Sequence, residues 1–394
     1  MTELAARADT SVGAALLQRA VELKPTVRSF QDEIEAEQRI PQALVQELKS
    51  AGFYRMLVPS KLGGLQVDLL TFLRAVELMA EADASTGWNL ANNAVQQVIA
   101  LSLPDAGVDD ILKSSANGPD VIIAGTAVAG GGTASRVEGG YKVTGRWRFG
   151  SGCRESQWML ANFDAGPEQI IRFFVPSTET TVIETWDMTG MRGTGSHDWS
   201  VVDQFVPDRR TIAERGRLLT NQWSRWPGTL YSMPVHTLIG PHHSSIATGI
   251  ARSGIDALAE LAGAKVPRGR SGLLREQPLV QDSVARAEAI LSAGQALRRQ
   301  VLRDIWETVE AGVPVGQEQL ARSRIAASYA VDAARQAMDL VYRAGGTTSN
   351  QRMHQLARTW RDLQVVGQAA SVAPEWYALA GRVLLGMDPG PRLA

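Results

Sequence analysis

The side chains of this 394-residue chain that are able to do chemistry stand among glycines. Ser151 lies in Gly150-Ser151-Gly152, just before Cys153, the one cysteine. Thr194, Ser196 and His197 follow Gly193 in a second glycine loop, and Gly345-Gly346 forms a third glycine site. Glycine admits close backbone approach that a Cβ would obstruct. Ser151 by itself reads equally as an ordinary turn serine. The adjacent imidazoles of His242-His243 precede an apolar helical stretch; such a pair either serves as a base or caps a helix and packs at an interface. A lone cysteine excludes an internal disulfide framework and any multi-cysteine metal site, and Cys153 reads as a small buried hydrophobe. Walker A, H-E-x-x-H and G-x-S-x-G are all missing, and no G-x-G-x-x-G follows a strand and opens a helix, so no metal site and no Rossmann nicotinamide site is expected.

The elements that must position these residues show in the spacing of apolar side chains. Up to about residue 118 the period is helical. Val27, Phe30 and Ile34 fall at helical spacing within Val21 to Arg39, and Pro41 opens a helix with Leu44, Val45 and Leu48 on one side. Ala51-Gly52 closes that helix. Asp68 caps the next, to Met79, and Asp83 or Ser85 caps another that carries Trp88 and runs to Ala100. From about Val121 the period becomes two: Tyr141, Val143, Gly145, Trp147 and Phe149 alternate with Lys142, Thr144, Arg146 and Arg148. Glu138-Gly139-Gly140 is a turn that pairs this strand with Thr133 to Val137. Further strands are expected at Trp158 to Phe163, Ile170 to Val175, Thr181 to Ile183 and Trp199 to Phe205, ending at Val206-Pro207-Asp208. Short strands of this kind build an antiparallel barrel or sandwich. After a connection from Leu219 to Pro234, helical spacing returns in Ser244 to Ala264, Leu279 to Gly312, Gln317 to Ala344 and Trp360 to Leu385, the last interrupted near Pro374. Long alanine-rich helices pack as an antiparallel bundle.

Charge bears on partners. Forty Lys and Arg against 41 Asp and Glu leave a net charge of −1, without the basic excess that nucleic-acid or membrane-surface binding needs. No apolar run of about 18 residues is present, and Met1 to Asp9 lacks the apolar core of a signal peptide, so a cytoplasmic protein is expected.

Five segments in order, Asp83-Ala-Ser-Thr-Gly-Trp88, Gly145-Arg-Trp-Arg-Phe-Gly-Ser-Gly-Cys153, Gly190-Met-Arg-Gly-Thr-Gly-Ser196, Gly345-Gly346 and Arg358-Thr-Trp-Arg-Asp362, carry a resemblance. The chain resembles the acyl-CoA dehydrogenase superfamily from about Ile34 to Gly386, and within it the oxygenase components of two-component, class D flavin-dependent monooxygenases. The resemblance implies an α+β fold: a helical domain (1–118), an antiparallel β-barrel (119–225) and a C-terminal four-helix bundle (226–394). It also implies a homotetramer with flavin between barrel and bundle, where Trp147, Phe149, Gly150, Ser151, Gly193, Thr194 and Ser196 line the ring. Gly345 and Gly346 would admit the flavin tail, with Arg270 or Arg275 on its phosphate. Reduced FMN or FAD, delivered by a separate reductase, would react with O₂ to give a C4a-hydroperoxide. Ser151 matches the serine that accepts from the flavin N5–H, Trp88 walls the substrate cavity or packs in the core, Ser196 is a flavin contact and His197 is solvated.

One departure bears on the reaction. Where the aromatic hydroxylases carry two histidines after the Arg-Asp pair, this chain has Gln364 and Ala369. Without that imidazole the expected substrate of the pocket shifts from a phenol to an amine, a sulfide or an electron-rich indole, with His242 and His243 as substitute bases. The alternative is an acyl-CoA dehydrogenase, which needs a carboxylate base; Leu363 to Pro374 has none and Glu375 comes late. A third possibility is a flavoprotein of the same fold with altered catalysis.

Overall fold

The computed structural model describes residues 11–113, 117–126, 130–166, 169–215, 225–234 and 237–390. Met1 to Asp9 and the first part of the Leu219 to Pro234 connection lie outside them. The chain opens with helices α1 (Ser11–Ser29), α2 (Gln31–Glu37), α3 (Gln42–Ser50), α4 (Leu69–Ala82), α5 (Ala84–Ala100) and the single turn α6 (Asp105–Val108). Two buried or half-buried aspartates start the longer ones. Asp68 accepts from the Thr71 N–H at 2.9 Å and Asp83 from the Thr86 N–H at 2.7 Å, each filling an orphan donor of a first turn.

Eight strands follow: β1 (Ile123–Gly125), β2 (Gly132–Val137), β3 (Gly140–Gly150), β4 (Trp158–Gly166), β5 (Gln169–Pro176), β6 (Thr181–Ile183), β7 (His197–Pro207) and β8 (Thr211–Arg215). They form two four-stranded sheets, ordered β1-β4-β5-β8 and β2-β3-β7-β6. Among the described residues no ladder closes the sheets on one another into the expected antiparallel barrel, and β1 pairs parallel to β4. The physical reason is layering. Met159, Ala161, Phe163 and Phe173 face Val143, Trp147, Trp199 and Val201 of the other sheet, while Trp158, Leu160 and Phe174 face the helices. One sheet is thus buried on both sides, and that is why β4 and β5 read as continuous apolar runs.

The rest is helical: α7 (Thr229–Ser232), α8 (Pro241–Ala264), α9 (Pro278–Glu310), α10 (Gln317–Gly345), α11 (Gln355–Val366) and α12 (Glu375–Leu384). The last expected helix is two helices, broken between Val366 and Glu375. Helix α10 packs on α8, α9 and α12, and α8 packs on α4. The α4–α8 contact depends on Gly249, where a Cβ would stand 2.4 Å from the Glu77 carbonyl oxygen. Glu77 and Arg298, both buried, pair at 3.2 Å across α4 and α9, with Thr248 and Gln295 also donating to the carboxylate. No helix among the described residues is long and apolar enough to cross a membrane.

Candidate functional site

Strand β3 ends in a strained turn. Phe149 has φ of 66°, a left-handed conformation unusual for an aromatic residue, and its ring is 54% exposed. The Ser151 N–H donates to the Phe149 carbonyl at 2.9 Å, so Ser151 leaves the sheet at its rim. The loop before β7 meets it there, clipped by the Gly152 N–H donating to the Thr194 carbonyl at 2.8 Å. Three hydroxyls then line up: Thr194 Oγ1 lies 2.7 Å from Ser196 Oγ, and Ser196 Oγ lies 2.7 Å from Ser151 Oγ. Helix α5 delivers Trp88, whose Nε1–H donates to Ser151 Oγ at 3.0 Å.

Trp88 also joins this row to the first turn of α8. Its ring stacks on His243 at 4.5 Å and 24°. His243 Nδ1 bonds Ser371 Oγ at 2.5 Å, in the break between α11 and α12. Beside it His242, centroid 3.8 Å away, donates from Nδ1 to the Leu238 carbonyl at 2.9 Å, since a carbonyl only accepts; that fixes its tautomer. Burial makes both imidazoles weak bases, lowering His242 to about 4 and His243 well below the usual value. Neither Nε2 has a hydrogen-bond partner among the described residues. Arg324 steadies the backbone on both sides, donating to Ile239 at 2.9 Å and Ser371 at 3.4 Å, with its guanidinium 3.9 Å from the Trp376 ring.

The glycine loop is tied down from below by α11. Asp362 accepts from the Met191 N–H at 2.6 Å and Arg361 donates to the Thr189 carbonyl at 3.0 Å. Asp83, Ser85, Gly190, Glu35, Arg358 and Asp362 line a narrow cleft here. Arg358 bridges Glu35 at 3.0 Å and Asp32 at 2.6 Å. Burial, with Asp83 close by, pushes the Asp362 carboxyl up to about 7.

The fold thus brings together Trp88, Ser151, Thr194, Ser196 and His243, with Ala369 two residues before Ser371. Other expected residues stand elsewhere. Trp147 is 2% exposed, packs 4.8 Å from Trp199 and donates to the Asn162 carbonyl, so its ring belongs to the core between the sheets. Gly150 is buried against Trp199 and His197, and a Cβ on Gly193 would collide with Ile34 at 1.9 Å. Phe149 faces outward, its ring perpendicular to that of Trp186 with the centroids 6.4 Å apart. Gln364 is half-buried on α11. Gly345 lies against Leu261 and Gly346 near Lys265, at the other end of α8 from His243; Arg270 and Arg275 are exposed beyond that end. His197, expected in solvent, is buried and accepts from the Thr185 and Trp186 N–H groups. Cys153 is buried, and burial pushes its thiol up to about 12. Ser371 and Arg324 escaped notice in the sequence, where an isolated serine after a helix and one more bundle arginine give no signal.

Residues 19–117 match the family described as acyl-CoA dehydrogenase, N-terminal domain, and residues 242–374 match acyl-CoA dehydrogenase, C-terminal domain. The chain is 30% identical to indole-3-acetate monooxygenase of Pseudomonas putida over 91% of its own length and 90% of that protein. It is 29% identical to the flavin-dependent monooxygenase oxygenase subunit HsaA of Rhodococcus jostii, covering 95% and 94%. Among solved structures, 3-HSA hydroxylase from Rhodococcus sp. RHA1 superposes with a TM-score of 0.89 at 27% identity, covering 96% of this chain and 99% of that one.

Proposed function

The chain belongs to the acyl-CoA dehydrogenase family and to its flavin-dependent monooxygenases, and on that footing we propose that it inserts one oxygen atom from O₂ into an electron-rich aromatic substrate, an indole in preference to a phenol. The residues present fit a flavin ring. Phe149 presents an exposed aromatic face, and Ser151 stands half-buried within the same turn with its oxygen directed by neighbours. Bound reduced flavin supplies the activation of O₂. The protein's own work is to hold the N5 proton at Ser151 Oγ and keep water out with the stacked Trp88 and His243.

The observation that carries the substrate class is the pair of neutral histidines. An imidazole lowered to about 4 is a poor base for a phenol, yet its Nε2 remains a hydrogen-bond acceptor. A buried acceptor left unpaired costs roughly 1–3 kcal/mol, which a substrate N–H reaching His242 Nε2 would recover. The P. putida relative, named for an indole substrate, supports the same class. The dehydrogenase alternative is disfavoured because the stretch from Leu363 to Pro374 carries no carboxylate and Glu375 is exposed.

We assign the flavin tail to a neighbouring copy. His243 and Leu261 are eighteen residues apart on α8, ~27 Å at 1.5 Å per residue, so Gly345, Gly346 and Arg270 serve another subunit's ring in a homotetramer. FMN or FAD arrives from a separate reductase in the cytoplasm, since no nicotinamide fingerprint is present in the chain.

The test supplies the protein with reduced flavin and O₂ beside indole-3-acetate and, in parallel, 4-hydroxyphenylacetate. Oxygenated product is measured against hydrogen peroxide. Product from the indole and little from the phenol is expected. Recovery of all oxygen as peroxide in the presence of the indole defeats the proposal, and anaerobic bleaching of oxidised flavin by an acyl-CoA thioester would establish the dehydrogenase instead.

A further inference from the structure

The row of hydroxyls has a direction. Thr194 Oγ1 is 2.9 Å from the Met191 carbonyl oxygen, which has no hydrogen to give. Three close oxygen–oxygen contacts, Met191 to Thr194, Thr194 to Ser196 and Ser196 to Ser151, share three hydroxyl hydrogens. Only one assignment puts a hydrogen in each. Thr194 donates to Met191, Ser196 donates to Thr194, and Ser151 donates to Ser196. The opposite direction leaves Thr194 and the carbonyl facing one another lone pair to lone pair.

Trp88 completes the order by donating its indole N–H to Ser151. Ser151 therefore has its single hydrogen engaged and one lone pair occupied, and what it offers outward is the remaining lone pair. The Met191 carbonyl that ends the row is fixed too: it also accepts from the Trp186 indole at 3.0 Å, while Asp362 grips the Met191 N–H. Hydrogen bonds in series reinforce the common direction.

Resting on the reading of Ser151 given above, we infer that Thr194, acting through Ser196, holds Ser151 as a hydrogen-bond acceptor only, and that this makes the site prefer reduced over oxidised flavin. The chemistry of N5 supplies the discrimination. Reduced flavin carries an N5–H that donates to such an oxygen, whereas oxidised flavin has a bare N5 that needs a donor. Thr194 and Ser196 are on this account positioning residues and do not themselves touch the ring.

The experiment titrates the flavin-free protein with oxidised FMN in air and reduced FMN anaerobically, and then with both forms of FAD, reading the ratio of the two dissociation constants. Ser196→Ala removes the acceptor of the Ser151 hydrogen, and Thr194→Val removes the end of the row at nearly constant volume. Each is expected to lower the preference for reduced flavin on the order of tenfold, partly through tighter binding of the oxidised form. Thr194→Ser, which keeps the hydroxyl, restores the native ratio; a merely structural threonine would not discriminate between these two variants. Ser151→Ala lowers the preference without tightening the oxidised form. If Ser196→Ala and Thr194→Val both keep the native ratio while Ser151→Ala lowers it, the inference falls and the function proposed above stands. If Ser151→Ala also changes nothing, or reduced flavin does not bind at all, the role of Ser151 falls with it.

Discussion

Replacing Asp362 by asparagine tests how the glycine loop is held. The carboxyl is raised from 3.8 to about 7 by burial and by Asp83 across the cleft, against the opposing effect of the Met191 N–H bond and the weaker pull of Arg361 and Arg358. Between about pH 4 and pH 7 the folded protein therefore binds a proton that the unfolded chain has released, and stability falls as pH rises through that window. The full difference is roughly 4 kcal/mol, accumulating at about 1.4 kcal/mol per pH unit and constant above pH 7. Asp362→Asn keeps an oxygen for the Met191 N–H and abolishes the titration. Wild type and variant should thus melt together near pH 4, and the variant should gain steadily to pH 7 by that full difference. With an unfolding entropy of about 2.1 cal/mol/K per residue over 394 residues, about 4 kcal/mol corresponds to a separation of about 5 °C in Tm. Differential scanning calorimetry at half-unit pH steps reads it. Taking the difference between the two proteins cancels other titrations, including that of Glu155, which burial raises to about 7. Parallel curves at every pH would mean that Asp362 is ionised in the folded protein and that the arginines dominate its surroundings.

Three further changes probe other links. Glu77→Gln strands the buried Arg298 guanidinium and is expected to cost about 3–5 kcal/mol, read as a lower Tm at pH 7; a loss under 1 kcal/mol would mean that water reaches the pair. Because Arg298 and Arg74 overcome the effect of burial and hold the Glu77 carboxyl at about 2, the wild-type advantage should persist above pH 4.5 and fade only as the pH drops from there toward about 2. Gly249→Ala drives a methyl into the Glu77 carbonyl and should destabilise by about 1–3 kcal/mol with α4 and α8 forced apart, whereas a neutral change would refute the tight crossing. Trp88→Phe keeps a ring against His243 but removes the donor to Ser151, so more hydrogen peroxide should escape per flavin oxidised with the melting temperature little changed; equal peroxide yields would show the indole N–H to be idle.

Much of the architecture was legible because local rules and tertiary structure agree. The Asp68 and Asp83 caps, the β2–β3 hairpin around Glu138-Gly139 and the long alanine-rich helices follow from side-chain period and turn chemistry. Strands β1 and β8 were not legible. Ile123–Gly125 is three residues long and buried on both faces, so no alternation marks it, and Thr211–Arg215 emerges from a charged turn beyond Pro207. Trp147 shows the limit of the period: alternation places it on the inner face of β3, where it lies, but a resemblance alone does not say which inner residues reach the rim. The site itself joins residues 63 and 128 positions apart, Trp88 with Ser151 and His243 with Ser371. Such contacts are products of layer packing, and only the glycines around two of these four residues hinted at them.

The interruption between α11 and α12 has a consequence for how such an enzyme changes over generations. Ala369, Ser371 and their neighbours belong to neither flanking α-helix, and a single 3₁₀ turn at Ala370–Val372 is their only regular structure. Mutations and short insertions there would rewrite one wall of the proposed reaction chamber without breaking a long helix or the sheets. New chemistries can be tried at this seam while the rest of the scaffold is inherited intact.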